Sequence, residues 1–390
     1  MKILFLEWNS FGQQDIEESF QLLGYEIVPF SFDCHTERHN PQLEKNLAER
    51  ITSVNPDFVF SFNFFVPVSR VCNEHNVKYL CWVFDSPYVQ LYSSTVINPC
   101  NYIFVFDKFL YNEFRSNRIN TVYYLPLASN PDRLIKVTPK ESLRREKIAP
   151  KSDIAFVGAM YNEKARFYSR LEHISNYTRG YLEAIMEAQQ KVFGLSFVQD
   201  VLPSEIINDM SKDLPMYSAP DGVETREFLF SQYVINREIT ARERLSLLKL
   251  IGEEFPFDLY TSDDSFVLPN CTNHGYVNPY DEAPFVYRNA KINLNITLRS
   301  IYSGIPLRAF EILGSSGFLL TNYQADFEDC YQPGEDFIYY ESPKDMMEKI
   351  EYFLSHEKER TEIAQNGFQK TLKNNTFVHR IDTMIKKARS

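Results

Sequence analysis

No apolar run in this sequence approaches the roughly 20 residues that a membrane-spanning helix needs. The opening MKILFLEW turns polar too soon to form the apolar core of a secretory leader. The chain therefore reads as cytoplasmic, with no membrane span. Positive charge is in deficit: 41 Lys and Arg against 52 Asp and Glu leave a formal net charge of −11. That balance argues against a surface made to follow a nucleic-acid backbone, while leaving room for a local basic pocket for one diphosphate. The six cysteines, Cys34, Cys72, Cys81, Cys100, Cys271 and Cys330, are scattered, with no CxxC pair and no His at ligand spacing. They read as reduced core thiols, and no metal centre or cofactor is expected. A DxD metal motif is also missing from any loop, since Asp263-Asp264 lacks that spacing. What is abundant is apolar and aromatic surface, 44% and 15% of residues, enough to bury two cores. A length of 390 residues suits two domains of roughly 150 to 200 residues each.

Residues 1–127 repeat one pattern, a short apolar run, a turn, an amphipathic helical stretch and another apolar run. The strand candidates are Lys2 to Glu7, Tyr25 to Phe32, Asp57 to Asn63, Lys78 to Phe84, Tyr102 to Asp107 and Thr121 to Pro126. Near-continuous apolar runs suit parallel strands covered on both faces, and right-handed crossovers wind such strands into a Rossmann-like sheet. From 128 to 152 the chain loses apolar periodicity and carries Pro131, Pro139 and Pro150 among many charges, the composition of an inter-domain linker and hinge. A second α/β domain is expected over 153–375. It opens with the strand DIAFVG ending at Gly158 and is interrupted by a mostly helical insertion at about 162–237. Regular alternation resumes at Thr240 with a helix, then strands FDLYTS, INLNI and Gly317 to Asn322. The tail from Pro343 to about Lys387 reads as helical throughout, and its last part, 376–390, is a helix suited to packing back on the first domain.

The most informative stretch is TLRSIYSGIPLRAFEILGSSGFLLTN. Pro306 fits the first position of a helix, so the loop Thr297 to Ile305, which includes Gly304, delivers unpaired backbone N–H groups just past a strand end. Arg308 then falls in the first turn, where a cation opposes the helix dipole at a cost of a few tenths of a kcal/mol unless an anion binds there. Glu311 follows three residues later on the same face, placed to accept hydrogen bonds from the two hydroxyls of a ribose. A plain surface ion pair between the two, worth about 0.3 to 0.5 kcal/mol, needs no ligand and stays open on spacing alone.

The run INLNITLRSIYSGIPLRAFEILGSSGFLLTNYQADFEDCY resembles the C-terminal donor domain of bacterial glycosyltransferases related to the spore-maturation protein CgeB. The resemblance continues through FIYYESPKDMMEKIEYFLSHEKERTEIAQNGF and FVHR, reaches back to DIAFVGAMYN, and includes DFVFSFN and YLCWVFDSP near the N-terminus. It is weakest over Arg179 to Asn236. It implies the GT-B architecture, two Rossmann-like domains facing a cleft, and puts Arg308 and Glu311 on the donor-binding helix. The implied co-substrate is a nucleoside diphosphate sugar, with UDP the commonest choice, while the acceptor stays open among a surface polysaccharide, a flagellar or spore-coat glycoprotein and a lipid-linked sugar. One departure stands out: the widespread retaining pattern has two glutamates eight positions apart, and the position eight before Glu311 is Ser303.

Further positions join the candidate donor site. Thr297, Arg299 and Ser300 follow a strand, Gly158 ends one, and Tyr276 follows His274-Gly275 at a place suited to a nucleobase; His274 itself reads as structural. On the acceptor side, Asn9 to Gly12 follow the first strand and Asp85-Ser86-Pro87 the fourth. Asp85 is the candidate base for the acceptor's proton, with capping of the following turn as the alternative; Glu7 and Asp107 stand at other strand ends. Two other classes fit the same architecture, a non-catalytic scaffold and a nucleotide-sugar epimerase.

Overall fold

The computed structural model describes residues 1–8, 10–33, 37–140, 148–149, 151–162 and 166–390. They form two compact units: Met1–Ala128 with Ser218–Glu224 and Thr376–Ser390, and Ser129–Tyr217 with Thr225–Asn375.

The first unit is built on six parallel strands, β1 (Lys2–Glu7), β2 (Glu26–Ser31), β3 (Phe58–Phe62), β4 (Lys78–Val83), β5 (Asn101–Val105) and β6 (Val122–Tyr124), in the order β2-β1-β3-β4-β5-β6. Helices α1 (Gln13–Leu22), α2 (Pro41–Val54), α3 (Val66–Glu74) and α4 (Lys108–Ser116) are its crossovers. Every residue of β3 is buried, which is why its sequence, FVFSF, carries no alternation. Under α1 the rings of Phe5, Phe20 and Phe60 meet at centroid distances of 5.3 to 6.4 Å, within the range in which aromatic pairs add to plain area burial. The last helix of the chain, α15 (Phe377–Arg389), belongs to this unit and packs on α1 and β4. Its Phe377 ring meets Trp82 at 5.9 Å, and Arg380 Nε donates to the carbonyl oxygens of Pro126 at 2.9 Å and Leu127 at 3.2 Å.

The second unit has its own parallel sheet: β7 (Ser152–Val157), β8 (Phe257–Tyr260), β9 (Cys271–Asn273), β10 (Ala290–Asn295), β11 (Leu319–Asn322) and β12 (Ile338–Tyr340), in the order β12-β11-β10-β7-β8-β9. The edge strands β9 and β12, three residues each, are additions to the strands read from the sequence, too short to show a period. Helices α5 (Pro131–Leu134), α6 (Asn176–Gln190), α7 (Ser204–Met210), α8 (Arg226–Leu229), α9 (Asn236–Glu254), α10 (Ala283–Asn289), α11 (Leu307–Gly314), α12 (Phe327–Cys330), α13 (Pro343–Ser355) and α14 (Glu357–Asn374) complete it. Between β7 and β8 the described residues contain no strand, as the sequence pattern indicated. Leu182, Met186, Ile206, Met210, Phe230 and Ile239 give this helical insertion a core of its own.

Three findings differ from the sequence reading. The beginning of the expected linker is folded: α5, capped by Asn130, packs on α11 and α14, Leu134 is buried, and the Arg288 guanidinium donates to the carbonyl oxygens of Leu134 and Val137. The tail is not helical throughout: it is interrupted at His356 and Asn375 into three helices, the first capped by Ser342 and the last by Thr376. Finally, Ser218–Glu224 leaves the insertion to join the first unit. There Arg38 pairs with Asp221 at 3.4 Å and Glu224 at 3.2 Å, and Ser93 Oγ donates to Asp221 at 2.8 Å.

Candidate active site

In the second sheet the strands run outward from β7 in one direction and from β10 in the other, so the order reverses between these two neighbours. Open α/β sheets hold ligands at the carboxyl ends of the strands that flank such a reversal. Here those ends are Gly158 and the loop that starts at Ile296.

The Gly158 N–H donates to the Tyr260 carbonyl at 3.0 Å, continuing the ladder by one bond. A Cβ on Gly158 would stand 2.8 Å from Arg308 Nη1 and 3.2 Å from its Cζ, so the glycine is what lets that guanidinium lie against the strand end. Arg308 is the second residue of α11. Pro306 is the residue before the helix, with φ −68° and ψ 150°, and not its first helical position as the sequence suggested. No side chain caps this helix start and no acidic residue stands in its first turn, so its N–H groups and the Arg308 charge act together there. Arg308 Nε is buried and has no hydrogen-bond partner among the described residues. Tyr287, fully buried on α10, is hydrogen-bonded to the Arg308 side chain; burial first, then the charge of nearby Glu311, pushes its phenol well above the ordinary tyrosine range.

A second arginine lies beneath. Arg244 on α9 is 3% exposed, donates from Nε to the Ile296 carbonyl at 3.2 Å, and donates from its two terminal nitrogens to the carbonyl oxygens of Ile296 and Ala159. It thereby ties the end of β10 to the end of β7. Burial, with the like charge of Arg308 adding to it, lowers its pKa to about 10. The Tyr161 ring covers this guanidinium at 4.9 Å. Sequence reasoning passed over Arg244, yet its spacing to Leu247, Leu248 and Ile251 is that of one helix face, and all four are buried. That pattern is the signal by which it was legible.

Other candidates of the donor loop face inward. Arg299 holds the Glu243 carboxylate with Nε at 2.8 Å and Nη2 at 2.7 Å, donates to the Val192 carbonyl at 2.8 Å and lies over the Phe193 ring at 4.4 Å. Its guanidinium is occupied in bolting the loop to α9 and the insertion, which removes the basis for placing it on a phosphate. Thr297 is buried: its N–H donates to Asn322 Oδ1 at 2.8 Å and its hydroxyl accepts from Asn295 Nδ2 at 3.0 Å. Ser300, Gly304 and Ile305 are buried as well. Tyr276 is 60% exposed, so its ring is uncovered by the rest of the unit. His274 binds Asp258 at 2.6 Å and stacks on Tyr260 at 4.8 Å, a structural arrangement.

In the first sheet the order reverses between β1 and β3. Asn9, expected there, lies outside the described residues. Gly12 starts α1 with φ +86°, a left-handed backbone that requires glycine although the space beside it is ordinary. Asn63, after β3, also takes a left-handed backbone, φ 59°. Its Oδ1 accepts from the N–H of Phe84 at 2.9 Å and of Asp85 at 3.3 Å, while its Nδ2 donates to Asp85 Oδ2 at 2.7 Å. The carboxylate after β4 is thus held by a residue after β3, a link that chain distance hides. Partial desolvation raises the Asp85 pKa, and the Asn63 bond opposes that rise. Ser86 follows, joined to Pro87 by a cis peptide bond. Asp107 caps α4 by accepting from the Phe109 N–H at 3.0 Å, and Glu7 accepts from Ser31 Oγ at 3.0 Å, so both strand-end acids have local tasks.

Two six-stranded parallel Rossmann-like sheets, one with a pair of arginines at its reversal point, define the GT-B architecture. The comparisons agree. Residues 237–386 match the family model described as glycosyl transferase-like. The fold is similar to that of a glycosyltransferase from Rickettsia africae ESF-5, with 12% identity, a TM-score of 0.56, and coverage of 100% of this chain and 97% of that one. It is similar also to Anabaena HepE solved with UDP and glucose, with 9% identity, a TM-score of 0.51 and 99% of each chain covered. Sucrose-phosphate synthase from Thermosynechococcus elongatus shares the fold at 11% identity and a TM-score of 0.51, over 99% of this chain and 98% of that one. No curated protein matches the chain. Among the described residues no helix is long and apolar enough to cross a membrane.

Proposed function

We propose that this protein is a cytoplasmic glycosyltransferase that moves a sugar from a UDP-sugar to a cell-surface glycan or glycoprotein acceptor, of the kind its resemblance to CgeB-related enzymes suggests. The observation that carries the reading is the buried Nε of Arg308, without a hydrogen-bond partner, beside a glycine-cleared strand end at the reversal point of the sheet. A buried donor of this kind costs about 1 to 3 kcal/mol unless an acceptor arrives, and a diphosphate oxygen is such an acceptor.

In the reaction, the acceptor oxygen attacks the anomeric carbon, the bond from that carbon to the diphosphate breaks, and UDP leaves with the electron pair. Arg308 and the N–H groups at the start of α11 hold the leaving diphosphate, with Arg244 supplying positive potential from below, so the charge is met without an obligatory metal. Glu311 binds the ribose hydroxyls. Asp85 takes the acceptor's proton.

The test is a calorimetric panel of UDP, GDP, dTDP, CMP and ADP against wild type and Glu311→Gln. UDP alone is expected to bind well, and the variant is expected to lose more affinity for UDP than for pyrophosphate. Absence of binding by any nucleotide would turn the reading towards a non-catalytic scaffold.

A further inference from the structure

Beside the arginine pair, within the second unit, lies a cavity of about 230 Å³ whose walls include Tyr161, Arg166, Tyr168, Tyr233, Arg237 and Glu238. It is smaller than the roughly 300 to 1,000 Å³ of drug-sized pockets, so it suits one ring rather than a chain of them.

Two local irregularities build it. Tyr161 takes a left-handed backbone with φ 55°, which is costly for a bulky aromatic and persists only where the surroundings impose it. The helix that carries Tyr233 is a π-helix over Phe230–Ile235, running straight into α9, and such widened turns are frequent at functional sites. Together they put Arg237 over one side of the Tyr161 ring at 5.2 Å, while Arg244 contacts the same ring at 4.9 Å. One aromatic ring therefore contacts both the cavity's Arg237 and the Arg244 of the arginine pair.

Among the described residues, the charges in and behind the wall are unequal. Arg242 binds Glu238 at 2.7 Å and also pairs with Glu183, while Arg166 lies 3.4 Å from Glu238. Tyr168 donates to Glu183 at 2.9 Å. Two arginines and two glutamates thus offset one another. Arg237 is left over: it is an exposed residue at the mouth of the cavity, lies over the Tyr161 ring and has no ion pair to a described carboxylate. Glu238, 3% exposed, is held from both sides, its Oε1 by Arg242 and its Oε2 facing Arg166.

We propose that this cavity is a saccharide subsite for a sugar that carries an anionic group, a carboxylate or a phosphate. Arg237 pairs with the anion, and Tyr233 and Tyr168 offer apolar ring surface to the sugar. The choice of a saccharide rests on the transferase reading; the cavity and its unpaired cation do not.

The experiment is calorimetric titration of the full chain with methyl glucuronide and methyl glucoside, with and without saturating UDP, repeated on Arg237→Ala and Arg237→Glu. Tighter binding of the glucuronide, weakened about tenfold or more in Arg237→Ala and further in Arg237→Glu with UDP affinity within about twofold of wild type, is the expected result. Equal binding of both sugars, or binding untouched by both variants, would overturn the anionic subsite, as would failure of the glucuronide to bind while UDP binds normally. Glucuronide binding without UDP binding would keep the subsite and sink the donor reading. Retention of the glucuronide beside saturating UDP-glucose marks an acceptor sugar, and its displacement by UDP-glucuronate but not by UDP marks the donor's own sugar; both outcomes uphold the site.

Discussion

The two units share a six-stranded parallel sheet with one reversal of strand order, in different strand orders, and fill it with opposite chemistry. At the reversal point of the second sheet stand Arg308 and Arg244, with a helix start behind them that no side chain caps. Near that of the first stands a carboxylate, Asp85, steered by Asn63. A parallel sheet fixes where strand ends and helix starts come together, and leaves the sign of the charge to a few side chains placed there. In the second unit the sign suits a leaving diphosphate; in the first it suits proton removal.

The comparison can be broken most sharply at Asp85. Asp85→Asn is expected to lower transfer by roughly 10²- to 10⁴-fold while leaving UDP affinity unchanged, read by product formation and calorimetry; unimpaired transfer would move the base elsewhere. Arg308→Ala should weaken UDP by about 1.5 to 3 kcal/mol with the melting temperature nearly constant. A large drop in melting temperature with intact binding would make Arg308 a structural ion. Gly158→Ala tests the same contact from the strand side: the added Cβ, 2.8 Å from Arg308 Nη1, should displace the guanidinium and weaken UDP about three- to tenfold. Unchanged affinity would show that the guanidinium binds from another position. The smallest effect concerns pH. Because the Asp85 pKa is raised, the acid limb of the transfer rate should lie above the ordinary carboxylate value of about 3.9, with activity lost as pH falls through it. Removing the opposing bond with Asn63→Ala should move that limb further up, and an unmoved limb would detach Asp85 from it.

Much of the fold was open to a reader of the sequence. Runs such as KILFLE and DIAFVG are apolar because parallel strands are covered on both faces, and β1 spans the residues its pattern marked. The helix carrying Arg308 was legible through its proline and loop, with its start one residue out, since Pro306 fits either side of a helix boundary. Arg299 was the instructive failure. Its place after a strand is the same kind of place that binds anions, but Glu243, 56 residues away in the chain, takes the guanidinium first. Asn63, Tyr287 and Arg244 escaped notice because each acts through a partner distant in sequence.

Local sequence by itself thus determined the α/β alternation, the two parallel sheets and the helix carrying Arg308 and Glu311, because periodicity and helix-start signals are short-range properties of the chain. Tertiary structure alone decided that Arg299 is consumed as a bolt while Arg308 Nε stays unpaired among the described residues, that Ser218–Glu224 joins the first unit, and that Arg237 and Arg244 share the Tyr161 ring. Those outcomes depend on which charged and aromatic groups meet once the strands are ordered, and no spacing within one segment encodes that meeting.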